Sequence, residues 1–210
     1  MSAQDLPAPA VRIAEVVATE LRRTGRAGLV LASAPGPGSD LLARWLAPVA
    51  RLRIPDKGAV ADVAGALTAA GAPGATVEAL AWRSVAEAMS EAEELLVLGS
   101  TNKTQILLDP GPLPARVLPL GDVWASWIRT HAGRAALPAV LTHVAPDQVE
   151  AAERALRDYL EGGVDPARAF GALGALGPPV RRALDASEHR RRGLLVPKLE
   201  EWTVGIDPAR

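Results

Sequence analysis

Short apolar segments alternate with helical ones along the first half of the chain, and this alternation restricts the fold more than any other feature. Residues 27–33 (AGLVLAS), 51–54 (RLRI), 75–80 (ATVEAL) and 95–100 (LLVLGS) have the pattern of buried strands. The segments between them have the apolar spacing of helices. Strands that alternate with helices are typical of a parallel sheet covered on both faces. The sequence therefore predicts an α/β fold with a doubly wound, mostly parallel sheet and helices on both faces.

Each predicted helix is recognised by apolar residues three or four positions apart, or by a residue that can cap its first turn. They occupy residues 8–23, 39–50, 59–70, 84–94 and 122–132, and the chain from there to about residue 186 is also predicted to be helical. Ser39 or Asp40 is the predicted N-cap of the second helix, and Asp122 is a natural N-cap for the fifth. Ser84 and Glu87 have the spacing of a capping box for the fourth.

Composition narrows the classes of function. With 210 residues, of which 49% are apolar, and no linker or repeat, the chain is predicted to form a single domain over residues 1–210. A net charge of −1 with interspersed signs argues against nucleic acid and membrane as partners. The chain has no cysteine, and its N-terminus lacks the apolar run of a signal peptide or membrane span, so we predict a cytoplasmic location. His131 and His143 have no partner at metal-ligand spacing, which argues against a metal role.

Two loops follow strands whose carboxyl ends lie where open α/β sheets bind ligands. The loop SAPGPGSD at 33–40 offers backbone N–H groups at a helix N-terminus, although Pro35 and Pro37 each remove a donor. The loop GSTNKT at 99–104 offers short polar side chains and one positive charge. The candidate nucleotide-binding residues are Gly36, Gly38, Ser39, Asp40, Gly99, Ser100, Asn102, Lys103 and Thr104. Ordinary turns are the alternative for both loops.

Three segments resemble, in chain order, motifs of the ammonia-dependent NAD synthetases and of the corresponding domain in glutamine-dependent ones. They are LLVLGSTNKTQ at 95–105, VLPLGDVWASWIRTHAGRAALP at 117–138, and SEHRRRGLLVPKL at 187–199. The family's versions contain GTGNKSE, PIGDLYKTQV and EHKR. The order of the first helix, the first strand and its loop also agrees with the family, so the resemblance extends over nearly the whole chain.

The resemblance implies a fold, a reaction and further site residues. The family has the adenine nucleotide alpha hydrolase-like fold. Its members use ATP and magnesium to adenylylate deamido-NAD, let ammonia displace AMP to give NAD, and are commonly homodimers. Residues at positions that match the family's motifs on the substrate side are Asp122, Glu188, His189 and Arg191. For the segment around Glu188, a solvated helix end is an equally good interpretation.

The departures from the family concern its metal ligands above all. Ser39 stands where the family's SGGxDS loop has its aspartate, with Asp40 one position later, and Gln105 replaces the glutamate of GTGNKSE. Magnesium is usually held through carboxylates and substrate phosphates, so we expect magnesium binding to be weak or absent. The segments at 81–94 and 107–116 are also shorter than in the family.

These losses predict a catalytically silent homologue that acts as a scaffold or as a nucleotide-binding or partner-binding protein, with ATP as a candidate ligand. The alternative is an active ATP-dependent NAD synthetase in which the metal ligands are relocated, with Asp40 as the obvious candidate. No residue pattern identifies a protein partner. An apolar face of Trp124, Trp127 and Ile128, with Trp82 and Trp202 elsewhere, favours a homodimer; packing of these side chains within one subunit is the competing explanation.

Overall fold

A small parallel sheet lies at the centre of the fold. The computed structural model describes residues 7–109 and 111–188, and within them the strands β1 (Gly28–Leu31), β2 (Leu52–Arg53) and β3 (Leu95–Leu98) form a sheet in the order β2-β1-β3. Leu29 of β1 lies opposite Leu52 on one side and Leu96 on the other. The predicted α/β fold with a parallel sheet is therefore confirmed, with three strands and not the four that the sequence suggests.

The described residues form nine α-helices, which carry most of the chain. They are α1 (Ala8–Thr24), α2 (Pro37–Leu46), α3 (Lys57–Ala69), α4 (Gly74–Glu93), α5 (Lys103–Leu108), α6 (Ala125–Ala132), α7 (Pro146–Leu160), α8 (Pro166–Gly171) and α9 (Gly177–Ser187). The helices predicted at 8–23 and 59–70 are confirmed as α1 and α3. The helical C-terminal part is confirmed as well. Across residues 7–109 and 111–188, no helix has both the length and the apolar character needed to cross a membrane.

Neighbouring residues of β1 pack into different cores. Leu29 and Leu31 are fully buried in a cluster that also contains apolar side chains of α1, α2 and α6. Val30, which points the other way because side chains alternate along a strand, packs with Ala86 of α4 and Ile106 of α5. Helices therefore contact β1 from both sides.

The C-terminal helices enclose a core of their own. Leu107 of α5 and Trp124 pack with Val149 and Leu156 of α7 and with Phe170 of α8. These five side chains are at most 8% exposed. Since α5 also contributes Ile106 to the core beneath the sheet, this helix lies between the sheet and the C-terminal helices. This helix therefore connects the two cores.

The prediction of a strand at 75–80 is wrong, because this segment lies inside α4. Val77 and Ala81, and then Trp82, Ala86 and Ser90, are buried at four-residue spacing, which is the burial pattern of a helix. Ala81 and Trp82 pack against Val60 of α3, so α3 and α4 form a pair of helices at the edge of the domain. Two neighbouring β-branched residues suggested a strand, but the alanines and glutamate around them favour the helix.

The capping residues predicted for α2 and α4 also differ from those in the structure. Ser84 and Glu87 lie in the middle of α4, where Glu87 Oε1 forms an ion pair with Arg83 Nε at 2.7 Å. The N-cap of α2 is Gly36, with Pro37 in the first turn, so neither Ser39 nor Asp40 caps this helix.

Asp122 is likewise not the N-cap of α6, since Trp124 occupies that position. The Asp122 carboxylate is bound instead to the Lys103 ammonium at 2.8 Å. The Asp122 carboxylate therefore forms a buried ion pair and does not cap α6.

Candidate functional site

The two candidate loops meet at the carboxyl ends of β1 and β3, as their positions in the sequence predict. Residues 32–38 and 100–102 line one cavity of about 420 Å³. The backbone N–H of Ser100 donates to Ser33 Oγ at 3.1 Å, which joins the loops directly. This volume lies in the range of sites for small organic molecules.

Two glycines allow the loops to approach each other and their neighbours. A Cβ atom on Gly38 would lie 2.8 Å from the carbonyl oxygen of Ser100 and 3.1 Å from Leu120 Cδ1. A Cβ atom on Gly99 would lie 2.5 Å from Leu118 Cδ2 and 2.8 Å from Pro114 Cγ. Both glycines thus have a packing role that is independent of any ligand.

The polar groups at the start of α2 are bonded to one another. Ser39 is 1% exposed, and its Oγ accepts the N–H of Gly36 at 2.6 Å and donates to the Gly36 carbonyl oxygen at 2.7 Å. Asp40 follows in the first turn of α2, is exposed, and stands outside the residues that line the cavity. The position where the resemblance places a metal-binding aspartate is therefore occupied by Ser39, whose hydroxyl is bonded to the backbone of Gly36.

The start of α5 is closed by a capping box between Asn102 and Gln105. Asn102 Oδ1 accepts the N–H of Gln105 at 3.0 Å, and Gln105 Oε1 accepts the N–H of Asn102 at 3.2 Å. Asn102 Nδ2 also donates to Gln105 Oε1 at 2.9 Å and to the carbonyl oxygen of Ala136 at 2.9 Å. The spacing Asn-x-x-Gln just before an apolar run is visible in the sequence as a capping signal, and it was missed. Gln105 thus has a structural role at the position where the resemblance places the second metal ligand.

Several of the backbone donors that could hold a phosphate are already bonded within the protein or are missing. Pro35 and Pro37 carry no N–H at all. The donors with internal acceptors are the N–H groups of Gly36, Ser100, Asn102, Lys103 and Gln105. Phosphate cradles depend on several such groups pointing at one anion. This edge of the sheet therefore offers a phosphate fewer donors than the loop sequences suggest.

Lys103 is held inside the protein by two carboxylates. It is 2% exposed, and its Nζ lies 2.8 Å from Asp122 Oδ1 and 2.7 Å from Glu161 Oε1. The ammonium also lies 4.9 Å from the centre of the Trp124 ring, within the range of a cation–π contact. The positive charge predicted to contact a phosphate is thus compensated by neighbours that tie α5 to the end of α7.

Thr104 belongs to a second buried network. Its Oγ1 donates to Glu153 Oε1 at 2.6 Å and accepts the N–H of Ala125 at 3.0 Å. Glu153, which is 4% exposed on α7, also accepts the N–H of Ser126 at 3.2 Å and the Ser126 hydroxyl. Thr104 therefore joins α5, α6 and α7, and its hydroxyl is engaged within the protein.

The charged side chains that line the loop cavity in the described part of the chain are both acidic. They are Glu78 of α4 and Asp109, which follows α5 and accepts the N–H of Gly111 at 3.0 Å. Trp82 adds an aromatic surface. In residues 7–109 and 111–188, no group of three or more side chains of the types that ligate metals comes together. The residues at the two positions of the family's metal ligands do not fit magnesium, since neither carries a charge and both are bonded internally.

Of the residues predicted for the substrate side, the two that the structure describes, Asp122 and Glu188, do not line this cavity. Asp122 is buried beside Lys103, and Glu188 is exposed after the end of α9. His189 and Arg191 lie outside the described residues. His131 stacks on Trp127 with ring centres 3.6 Å apart. The aromatic residues that suggested a homodimer are largely covered within the chain: Trp82, Trp124 and Ile128 are at most 8% exposed, Trp127 is half-buried, and Trp202 lies outside the described residues.

No protein-family model matches the chain, and no curated protein matches it. The assignment of a function therefore rests on the residues and on their arrangement.

Proposed function

We propose that the chain is an NAD synthetase-like protein whose nucleotide site no longer supports catalysis, and that it acts as a scaffold or as a nucleotide-binding or partner-binding protein. One observation carries this proposal. The side chains of Ser39, Lys103 and Gln105, which stand at the metal and phosphate positions of the resemblance, are all bonded within the protein. A site that has to release these groups before it can bind a phosphate or a metal loses the preorganisation on which catalysis depends.

The arrangement of the sheet supports the resemblance without deciding it. Val117 pairs with Leu98 in a parallel bridge beyond β3, at the position of a further strand. We propose that β2-β1-β3 and this bridge are the reduced core of the family's doubly wound sheet. The homodimer rests on the resemblance alone, because the apolar face that suggested it is largely buried within one chain.

The second candidate function is an active ATP-dependent NAD synthetase with relocated metal ligands. The observation in its favour is the presence of two carboxylates, Glu78 and Asp109, at the edge of the loop cavity. Asp40, which the sequence suggests for this role, is less suitable because it lies outside the cavity lining. Carboxylate oxygens are the ligands that magnesium prefers, so these two residues define the variants that separate the candidates.

Calorimetric titration with ATP tests the proposal. We expect weak or no binding, and we expect any binding constant to change by less than about threefold when EDTA replaces magnesium, because charge-based magnesium sites require carboxylates in place. A tight isotherm that is strictly dependent on magnesium would contradict the proposal. If Glu78→Gln and Asp109→Asn then removed it while Asp40→Asn did not, the second candidate function would replace the first.

A further inference from the structure

A second cavity lies between α6 and α7, away from the two loops. It has a volume of about 470 Å³ and shares no lining residue with the loop cavity. The lining residues that matter for its chemistry are Trp124, Ser126, Trp127, Thr130, Arg154 and Arg157. Two indole rings and two guanidinium groups at one concave surface distinguish this cavity from the loop cavity, whose charged lining is acidic.

The carboxylates at this cavity already have cationic partners. Asp122 is bound to Lys103 at 2.8 Å, and Glu150 is bound to Arg129 at 2.9 Å. In residues 7–109 and 111–188, neither Arg154 nor Arg157 has an ion-pair partner. The cavity lining therefore has two carboxylates and two guanidinium groups, and in the described residues only the carboxylates are bound to partners of opposite charge.

The positions of these arginines suit the binding of an oxyanion. Arg154 and Arg157 are three residues apart on α7, so their side chains leave the same side of the helix. The guanidinium of Arg157 lies 5.4 Å from the centre of the Trp124 ring, a contact that restrains the side chain without using its N–H donors. Arginine donors in a planar fork match the oxygens of a phosphate or a carboxylate.

The aromatic lining adds a surface for a planar or apolar group. Trp127 is half-buried, and it is held by an edge-on contact with Trp45 at 5.6 Å and by the stacked ring of His131 at 3.6 Å. A side chain fixed in this way provides contact area at little cost in conformational entropy. The cavity thus combines an anion-binding end with an apolar surface, the combination expected of a site for a small organic molecule.

We propose that the cavity between α6 and α7 binds a small organic anion, whose phosphate or carboxylate group contacts Arg154 and Arg157 and whose planar part lies against Trp127. This site is separate from the loop cavity. It does not depend on the proposed relationship to NAD synthetases, because Trp127, Arg154 and Arg157 are not among the nucleotide-binding or substrate-side residues that the resemblance suggests.

Titration of the full chain with phenyl phosphate and with benzoate, at low ionic strength, tests the site. The double variant Arg154→Gln with Arg157→Gln is expected to bind the preferred probe at least about tenfold more weakly, since hydrogen bonds to a charged group are lost. The matched control is Arg44→Gln with Arg182→Gln, which removes the same charge from two exposed arginines on α2 and α9. The control is expected to bind within about twofold of the wild type, because distant exposed charges are screened.

The single variant Arg154→Gln keeps the contact between Arg157 and Trp124. It therefore separates an effect on binding from an effect on folding. It is expected to weaken binding while the thermal transition stays unchanged. Preference for phenyl phosphate would assign a phosphate to the ligand, and preference for benzoate would assign a carboxylate. The absence of saturable binding of either probe, or an equal loss in the control double variant, would overturn the proposal.

Discussion

Replacing Lys103 with methionine is expected to lower the free energy of unfolding by about 3–5 kcal/mol, the usual cost of removing one partner from a buried ion pair. The substitution leaves Asp122 and Glu161, with side chains 3% and 13% exposed, facing each other without the ammonium between them. Methionine keeps the length and apolar stem of lysine, so the loss of charge is the main change. Urea unfolding followed by circular dichroism measures the effect.

Lys57→Met is the matched control, because Lys57 is exposed in the first turn of α3. Its effect is expected to lie within about 0.5 kcal/mol of zero, as for most surface substitutions. If Lys103→Met were no more destabilising than the control, the ammonium could not be held by the two carboxylates. Lys103 would then be free to contact a ligand, as the sequence alone suggests.

Replacing Glu153 with alanine is the second substitution with a large expected effect. The carboxylate accepts hydrogen bonds from Thr104 and from the backbone and side chain of Ser126. Its removal leaves buried donors without an acceptor, each costing about 1–3 kcal/mol, so we expect a loss of about 2–4 kcal/mol in the free energy of unfolding. Glu153→Gln keeps one acceptor oxygen and is expected to lose less. The same urea titration gives both values.

Glu150→Ala is the control for this series. Glu150 lies one turn earlier on α7, its side chain is 56% exposed, and it forms a surface ion pair with Arg129. Surface pairs contribute at most about 1 kcal/mol, so the control is expected to be close to the wild type. Equal effects at the two positions would show that the buried network contributes no more than a surface pair, against our description of α5 as the element that joins the sheet to the C-terminal helices.

The elements predicted correctly are those whose patterns are local. The strands β1 and β3 are apolar runs bounded by turn residues, and α1 and α3 have clear helical spacing. In β2, apolar residues alternate with arginines. The prediction of a strand at 75–80 is wrong because two neighbouring β-branched residues favour a strand when only a short stretch of sequence is considered. Its helical burial pattern appears only over the whole of α4, where Val77 and Ala81, and then Trp82, Ala86 and Ser90, are buried at four-residue spacing.

The meeting of the two loops could be predicted from the sequence, and the bonds of their side chains could not. Strand order places the two loops together, since the carboxyl ends of parallel neighbours lie at one edge of the sheet. The partners of Lys103 and Thr104 could not be predicted, because Glu161 and Glu153 lie 58 and 49 residues away in the sequence. One signal was available: Glu153 interrupts the apolar face of α7, and a carboxylate on a buried face requires hydrogen-bond donors.

The central proposal is that Ser39, Lys103 and Gln105, at positions where the resemblance to NAD synthetases places metal and phosphate contacts, stabilise the fold and do not support catalysis. The most direct measurement is mass spectrometric detection of labelled NAD after incubation of the purified, folded protein with ATP, magnesium, deamido-NAD and isotope-labelled ammonium, beside an active NAD synthetase as positive control. We expect no labelled NAD above a blank without protein. Magnesium-dependent formation of labelled NAD at a rate typical of enzymes, on the order of 1 per second or more, would contradict the claim.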